Sequence, residues 1–332
     1  MKYMFLELLL GFVISAVLCP FVIKLVKKWK GEQTILEYVD AHAHKKGTAT
    51  MGGMAFIFAT IVAILPLVGG HTRLASIVLV SMLGYGLLGF LDDFIKVKMK
   101  QNLGLRAYQK VIGQVGIAVL IAVFAYLSPL VGSSVRIPFS DIEINLYWGI
   151  IPFIVLFFVA FTNSVNLTDG LDGLATGVTL AYLFGFIGIL AVTITKMENS
   201  GESLVLINEY KNILYLSGGF AGSLLAFLMF NGYPAKVFMG DTGSLAIGGF
   251  LSAMAVLTRE YLLVPILGLM FVVDCASVII QVLVYKRTKK RVFLMAPLHH
   301  HFEKKGSYET KIVTIYILIT LFISVGCLAL YL

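Results

Sequence analysis

The sequence predicts an all-α polytopic membrane protein: ten transmembrane helices, both termini on the extracytoplasmic side and an active-site cleft on the cytoplasmic face. Three observations carry the fold class. Hydrophobic residues make up 59% of the 332-residue chain and charged residues only 13%, about half the charged share of a soluble domain. Apolar runs recur from end to end, most of them long enough to cross a hydrocarbon core of roughly 30 Å as a helix. The runs are continuous rather than alternating, which argues against a membrane β-barrel.

The stretch from Met1 to Cys19 carries one early lysine and no small-residue cleavage site before Pro20, so the first span, 4–24, reads as a retained helix rather than a signal peptide. Further apolar runs follow at 51–69, 74–91, 109–128 and 147–163, then at 174–195, 212–230, 243–258, 262–285 and 311–331. Between the fourth and fifth, "VGSSVRIPFSDIEINLYW" alternates around a turn, the pattern of a hairpin. Between the sixth and seventh, "TKMENSGESLVLINEYKN" suits a short surface helix. The three cysteines lie in or at the ends of apolar segments without CxxC spacing, so neither a disulfide nor a zinc site is expected. No repeat or linker divides the chain, and residues 1–332 read as one membrane domain.

Orientation follows from the lysines and arginines. With the N-terminus outside, 20 of the 26 Lys and Arg residues fall on inner connections. Every unusual polar cluster then falls on the same inner face: "HKKGTATMGG" (44–53), "LDDFIK" (91–96), "NSVNLTDGLDG" (163–173), "NGYPAKVFMGDTGS" (231–244) and "PLHHHFEKKG" (297–306).

Asp92 and Asp93 are adjacent carboxylates ending a span, and a divalent cation or a shared proton would offset their repulsion. Lys96 lies one turn beyond Asp92 and suits a substrate phosphate if the helix continues. Asn163, Asn166, Asp169 and Asp172 repeat at a spacing of three, which would align them as one polar stripe if the helix ran through. Gly170 and Gly173 allow close backbone approach to a ligand. Asp241, between Gly240 and Gly243 at the start of a span, suits a metal that bridges to phosphate or, more plainly, a helix N-cap. His299, His300 and His301 cannot all face one ion from regular structure, and they fit better as partners of phosphate. Asp274 stands alone in mid-span and reads as structural. Acids for a hard divalent ion, with lysines, histidines and glycines for phosphates, together suit phosphosugar transfer onto a lipid head group at a membrane boundary.

"LDDFIK", "NSVNLTDGLDGLA", "PAKVFMGDTGSLAIGG" and "APLHHHFEKKG" resemble, in order and spacing, the polyprenyl-phosphate N-acetylhexosamine-1-phosphate transferases of bacterial plasma membranes. The "HHHFE" form of the histidine loop is similar to that of the family's muramoyl-pentapeptide branch. The resemblance implies Mg²⁺ as cofactor, UDP-N-acetylmuramoyl-pentapeptide and undecaprenyl phosphate as substrates, lipid I and UMP as products, and a place in peptidoglycan biosynthesis. It also implies a homodimer; no nucleic-acid partner is expected. By the same resemblance Asp241 is the metal ligand, Asp92 the base or orienting group for the lipid phosphate, and Asp93 its support. Asn163, Asn166, Asp169, Gly170, Leu171, Asp172, Asn231, Phe238 and Gly240 would hold the nucleotide sugar, with Lys46, Lys110, His300 and His301 as further pocket or phosphate contacts. Ala49, Tyr308 and Asp274 depart from the family's usual Pro, Trp and Glu. Direct attack by the lipid phosphate and a two-step route through an aspartyl intermediate on Asp92 both remain open. Two other functions compete: transfer of N-acetylglucosamine-1-phosphate, and ion-coupled transport.

Overall fold

The computed structural model describes residues 1–29, 47–65, 72–99, 104–140 and 142–332. Twelve helices are seen among the described residues: α1 (Lys2–Lys28), α2 (Gly53–Ile64), α3 (Arg73–Met99), α4 (Ala107–Leu127), α5 (Ile150–Thr168), α6 (Leu174–Asn199), α7 (Leu204–Asn231), α8 (Gly240–Leu257), α9 (Leu263–Leu267), α10 (Leu269–Thr288), α11 (Leu298–Lys304) and α12 (Glu309–Tyr331). Nine of them are long and apolar enough to cross a membrane, by length and composition. The expected span at 51–69 is the shorter helix α2, whose continuation lies outside the described residues. The expected span at 262–285 is broken at Gly268, whose N–H bonds back to the Val264 carbonyl at 2.7 Å and whose bare Cα faces the Phe161 ring. All three cysteines are free.

Helix α8 is the centre of the bundle. Every residue from Thr242 to Leu257 is buried, so it has no lipid-facing side. Small residues make that possible. Gly248 and Gly249 receive Thr162 of α5 and Tyr85 of α3, and Gly53 at the start of α2 lies against Gly243. The outer helices show the opposite pattern: α1, α4 and α12 bury a narrow stripe and expose Leu9, Leu120 and Phe322 among many apolar side chains, which is how lipid-facing surface reads.

The polar groups divide between the two ends of the bundle. At one end a hairpin forms as the alternation predicts, with β1 (Ser134–Arg136) antiparallel to β2 (Glu143–Asn145). Arg136 and the Tyr331 hydroxyl both reach the buried Glu260, at 3.2 and 2.9 Å, tying hairpin, α8 exit and α12 together. At the same end Glu209 of α7 accepts the Arg73 and Leu74 N–H groups and caps α3. The 195–212 segment is not a separate surface helix. Helix α6 runs to Asn199 and α7 starts at Leu204, because the apolar spacing continues on both sides and only the "SGES" turn, with Gly201 at φ +73°, interrupts it. The opposite end collects the C-termini of α3 and α5, the N-termini of α4, α8 and α12, and the whole of α11.

Candidate active site

Helix α3 continues past Asp92 to Met99, so Asp92, Asp93 and Lys96 share one helical turn at the end of the bundle. Gly89, one turn earlier, lets α3 lie directly on the first turn of α8; a Cβ there would overlap the Asp241 carbonyl and stand 2.7 Å from the Thr242 nitrogen. That approach brings carboxylate oxygens of Asp92, Asp93 and Asp241 within 4.8 Å of one another, the group among the described residues best suited to a metal ion.

The three acids have different partners. Asp93 accepts hydrogen bonds from the Thr242 N–H (2.9 Å), the Thr242 hydroxyl (2.7 Å) and the Asp241 N–H (3.2 Å). It is therefore the N-terminal cap of α8, supplied from a different helix, and its charge sits where the α8 dipole favours an anion. Neither Asp241 nor Thr242 caps its own helix. Asp92 accepts the Leu105 N–H at 2.7 Å and pairs with Lys96 at 2.6 Å. Asp241 receives Lys96 at 2.8 Å, Lys110 at 3.1 Å and the Asn166 amide at 2.6 Å. Three carboxylates and two ammonium groups leave a net negative charge when all are ionised, concentrated on hard oxygen donors. That donor set fits Mg²⁺, which takes carboxylate and phosphate oxygens.

The "NLTDGLDG" segment does not extend as a helical stripe. Helix α5 ends at Thr168, and a turn through Gly170 to Gly173, the latter at φ +75°, redirects the chain into α6. The four polar side chains consequently separate. Asn166 joins Asp241 and Ser244. Asn163, one turn deeper, pairs with the buried Gln114 through both amides, at 2.9 and 3.4 Å. Asp172 accepts the Ala235 N–H while its own N–H binds Glu309. Asp169 stays close to the acids: burial, and after it the charges of Asp241, Asp93 and Asp172, push its carboxyl up to about 8. Leu171 is buried.

The 232–239 loop is held from several sides. Asn231 donates to the Val237 carbonyl and accepts the Thr176 hydroxyl, which ties the loop to α6 and α7. Phe238 exchanges backbone bonds with Ala49 and Gly52, leaving its ring half-buried. Gly240 has φ +70° and lies against the Asp93 carboxylate, with no room for a side chain. Lys46 lies outside the described residues.

The histidines of α11 face three ways. His301 accepts the Leu294 N–H on Nδ1 and packs on Phe293, which fixes the loop before it. His300 bonds Glu303 through Nδ1 at 2.9 Å, and its Nε2 lies beside Gly170. His299 is fully buried and bonded to Asp274. Sequence reading grouped His299 with its neighbours as a partner of phosphate and gave Asp274 no partner; the signal for their pairing was an acid in mid-span, which in lipid must face a polar interior. Ser244 and Gln114 were missed, having no distinguishing pattern.

The model for "Glycosyl transferase family 4" matches residues 74–259, more than half of the chain. Among similar proteins are three named phospho-N-acetylmuramoyl-pentapeptide-transferase. That of Clostridium perfringens (strain 13 / Type A) is 42% identical over 95% of this chain and 94% of its own length. That of Desulfitobacterium hafniense (strain DSM 10664 / DCB-2) is 43% identical over 96% and 94%. That of Clostridium kluyveri (strain ATCC 8527 / DSM 555 / NBRC 12016 / NCIMB 10680 / K1) is 41% identical over 98% of both chains. Motif order, fold and similarity along nearly the full length agree: the chain belongs to glycosyl transferase family 4.

Proposed function

We propose that the chain transfers phospho-N-acetylmuramoyl-pentapeptide from its UDP derivative to undecaprenyl phosphate, giving lipid I and UMP, at the cytoplasmic face of a bacterial plasma membrane. The observation that carries this reading is the convergence of Asp92, Asp93, Asp241, Lys96 and Lys110 at one end of an apolar bundle. A soluble nucleotide and a membrane-held phosphate can meet there. The relatives' names specify the sugar.

Asp241 and Asp92 are the groups that would hold Mg²⁺, since Asp93 is committed to capping α8. When bound, the ion supplies charge neutralisation at the diphosphate. The chain's own residues do the rest. Lys96 and Lys110, now paired with the acids, are within reach of phosphate oxygens brought to the same place. Asn166 orients Asp241 from the other side. Asp92, fixed by the Leu105 N–H, orients the lipid phosphate. An oxygen of that phosphate attacks the β-phosphorus of the nucleotide sugar; the bond from that phosphorus to the bridging oxygen breaks, and UMP leaves with the α-phosphate. The rest of the proposal is a homodimer with the basic connections inside.

The test is UMP release by the purified protein with undecaprenyl phosphate and UDP-N-acetylmuramoyl-pentapeptide, with and without Mg²⁺. Release only with UDP-N-acetylglucosamine would overturn the choice of sugar. Substrate flux in proteoliposomes without UMP release would overturn the enzyme reading itself.

A further inference from the structure

The buried acid of α10 has three donors and one evident purpose. Asp274 is fully buried, and its carboxylate accepts the His299 ring Nδ1–H at 2.8 Å, the Tyr316 hydroxyl at 3.0 Å and the His299 backbone N–H at 3.3 Å. An ionised carboxylate can only accept, so it fixes the proton of a neutral imidazole on Nδ1 and leaves Nε2 as a bare acceptor. That Nε2 is buried and has no hydrogen-bond partner among the described residues. It points at Gly170, where a Cβ would overlap it. An orphaned buried acceptor costs free energy, and a ring locked in place from its other side keeps that cost fixed.

We propose that Asp274 is a positioning residue: through Nδ1 it sets the tautomer and direction of His299, so that Nε2 accepts a hydrogen bond from a hydroxyl or amide N–H of the UDP-sugar at the Asp169–Gly173 turn. The proposal rests on the transferase reading above. The contact requires the Gly170 backbone to yield, which glycines at 170 and 173 permit. Tyr316, on α12, keeps the carboxylate from turning away.

Asp274→Asn preserves shape but presents an amide donor to Nδ1, which moves the proton to Nε2 and turns the acceptor into a donor. KM for the UDP-sugar is then expected to rise about tenfold, the weight of one hydrogen bond, with KM for undecaprenyl phosphate unchanged. Asp274→Glu, which keeps the acceptor, is expected to stay within about threefold of the parent. His299→Gln is expected to match Asp274→Asn, and the double variant to be no worse than either alone. Tyr316→Phe, the mildest change, is expected to raise the same KM about twofold and serves should Asp274→Asn fail to fold. Unchanged KM in the folded variants, equal rises for both substrates, or additive losses in the double variant would each overturn the proposal.

A readout independent of turnover separates this inference from the functional one. In ¹⁵N-histidine-labelled protein, His299 is expected to carry its proton on Nδ1 in the parent and on Nε2 in Asp274→Asn. Absence of UMP release from the parent would sink the transferase reading, whereas a parent His299 protonated on Nε2 alone would sink this one.

Discussion

Gly89→Ala tests whether close packing of α3 on α8 sets the geometry of the acids. The added methyl would overlap the Asp241 carbonyl and lie 2.7 Å from the Thr242 nitrogen, where real Cβ atoms essentially never come closer than 3.0 Å. Both obstacles are backbone, so no rotamer change relieves them. The helices must part by roughly 1 Å, at an overpacking cost of about 1–3 kcal/mol. The same displacement moves Asp92 and Asp93 away from Asp241, and the Asp93 bonds to the Thr242 N–H and hydroxyl lengthen with it. A misplacement of that size in a reacting constellation costs on the order of a hundredfold in rate. The variant should therefore melt a few degrees lower and lose about a hundredfold in kcat for UMP release, far more than its stability loss explains. Gly116→Ala on α4, where nothing lies within 4 Å of the new methyl, is the control and should be near neutral. A Gly89→Ala enzyme with at least half the parent rate would refute the idea that this contact sets the site.

Further outcomes follow from the same geometry. Asp241→Asn should abolish turnover, and EDTA should do so reversibly; near-normal rates in that variant would remove Asp241 from the metal role. Asp93→Ala removes three acceptor contacts at the start of α8 and should destabilise by about 1–3 kcal/mol; an unchanged melting temperature would deny it the capping role. Arg136→Ala, at the far end, leaves the buried Glu260 with the Tyr331 hydroxyl but no counter-charge and should cost about 1–3 kcal/mol, yet leave kcat per folded molecule intact; a large fall in kcat would show that the two ends are coupled.

The spans and the gathering of polar clusters were legible because lipid imposes long apolar runs and taxes every charge placed within them. The acids of the site were legible for the same reason, since Asp92, Asp93 and Asp241 interrupt such runs. Their division of labour was not. That Asp93 caps α8 depends on helices 148 residues apart in sequence meeting at Gly89, and no local pattern encodes it. The stripe from Asn163 to Asp172 failed because the i, i+3 spacing continues through residues whose glycines end the helix. That Asn231 and Asp172 also hold the 232–239 loop was not legible, a use of polar side chains that composition does not distinguish from binding.

The complete burial of α8 has a consequence for how this sequence can drift. A helix with one face in lipid tolerates exchange of one apolar residue for another along that face, and the tolerant positions recur every three or four residues. Helix α8 has no such face from Thr242 to Leu257. A saturation scan should therefore find it intolerant without periodicity, while α1 alternates between permissive and restricted positions. Heritable change that alters ligand handling without destroying the fold would then accumulate on the turns around the site, and the helix that carries Asp241 would remain the slowest part of the chain to vary.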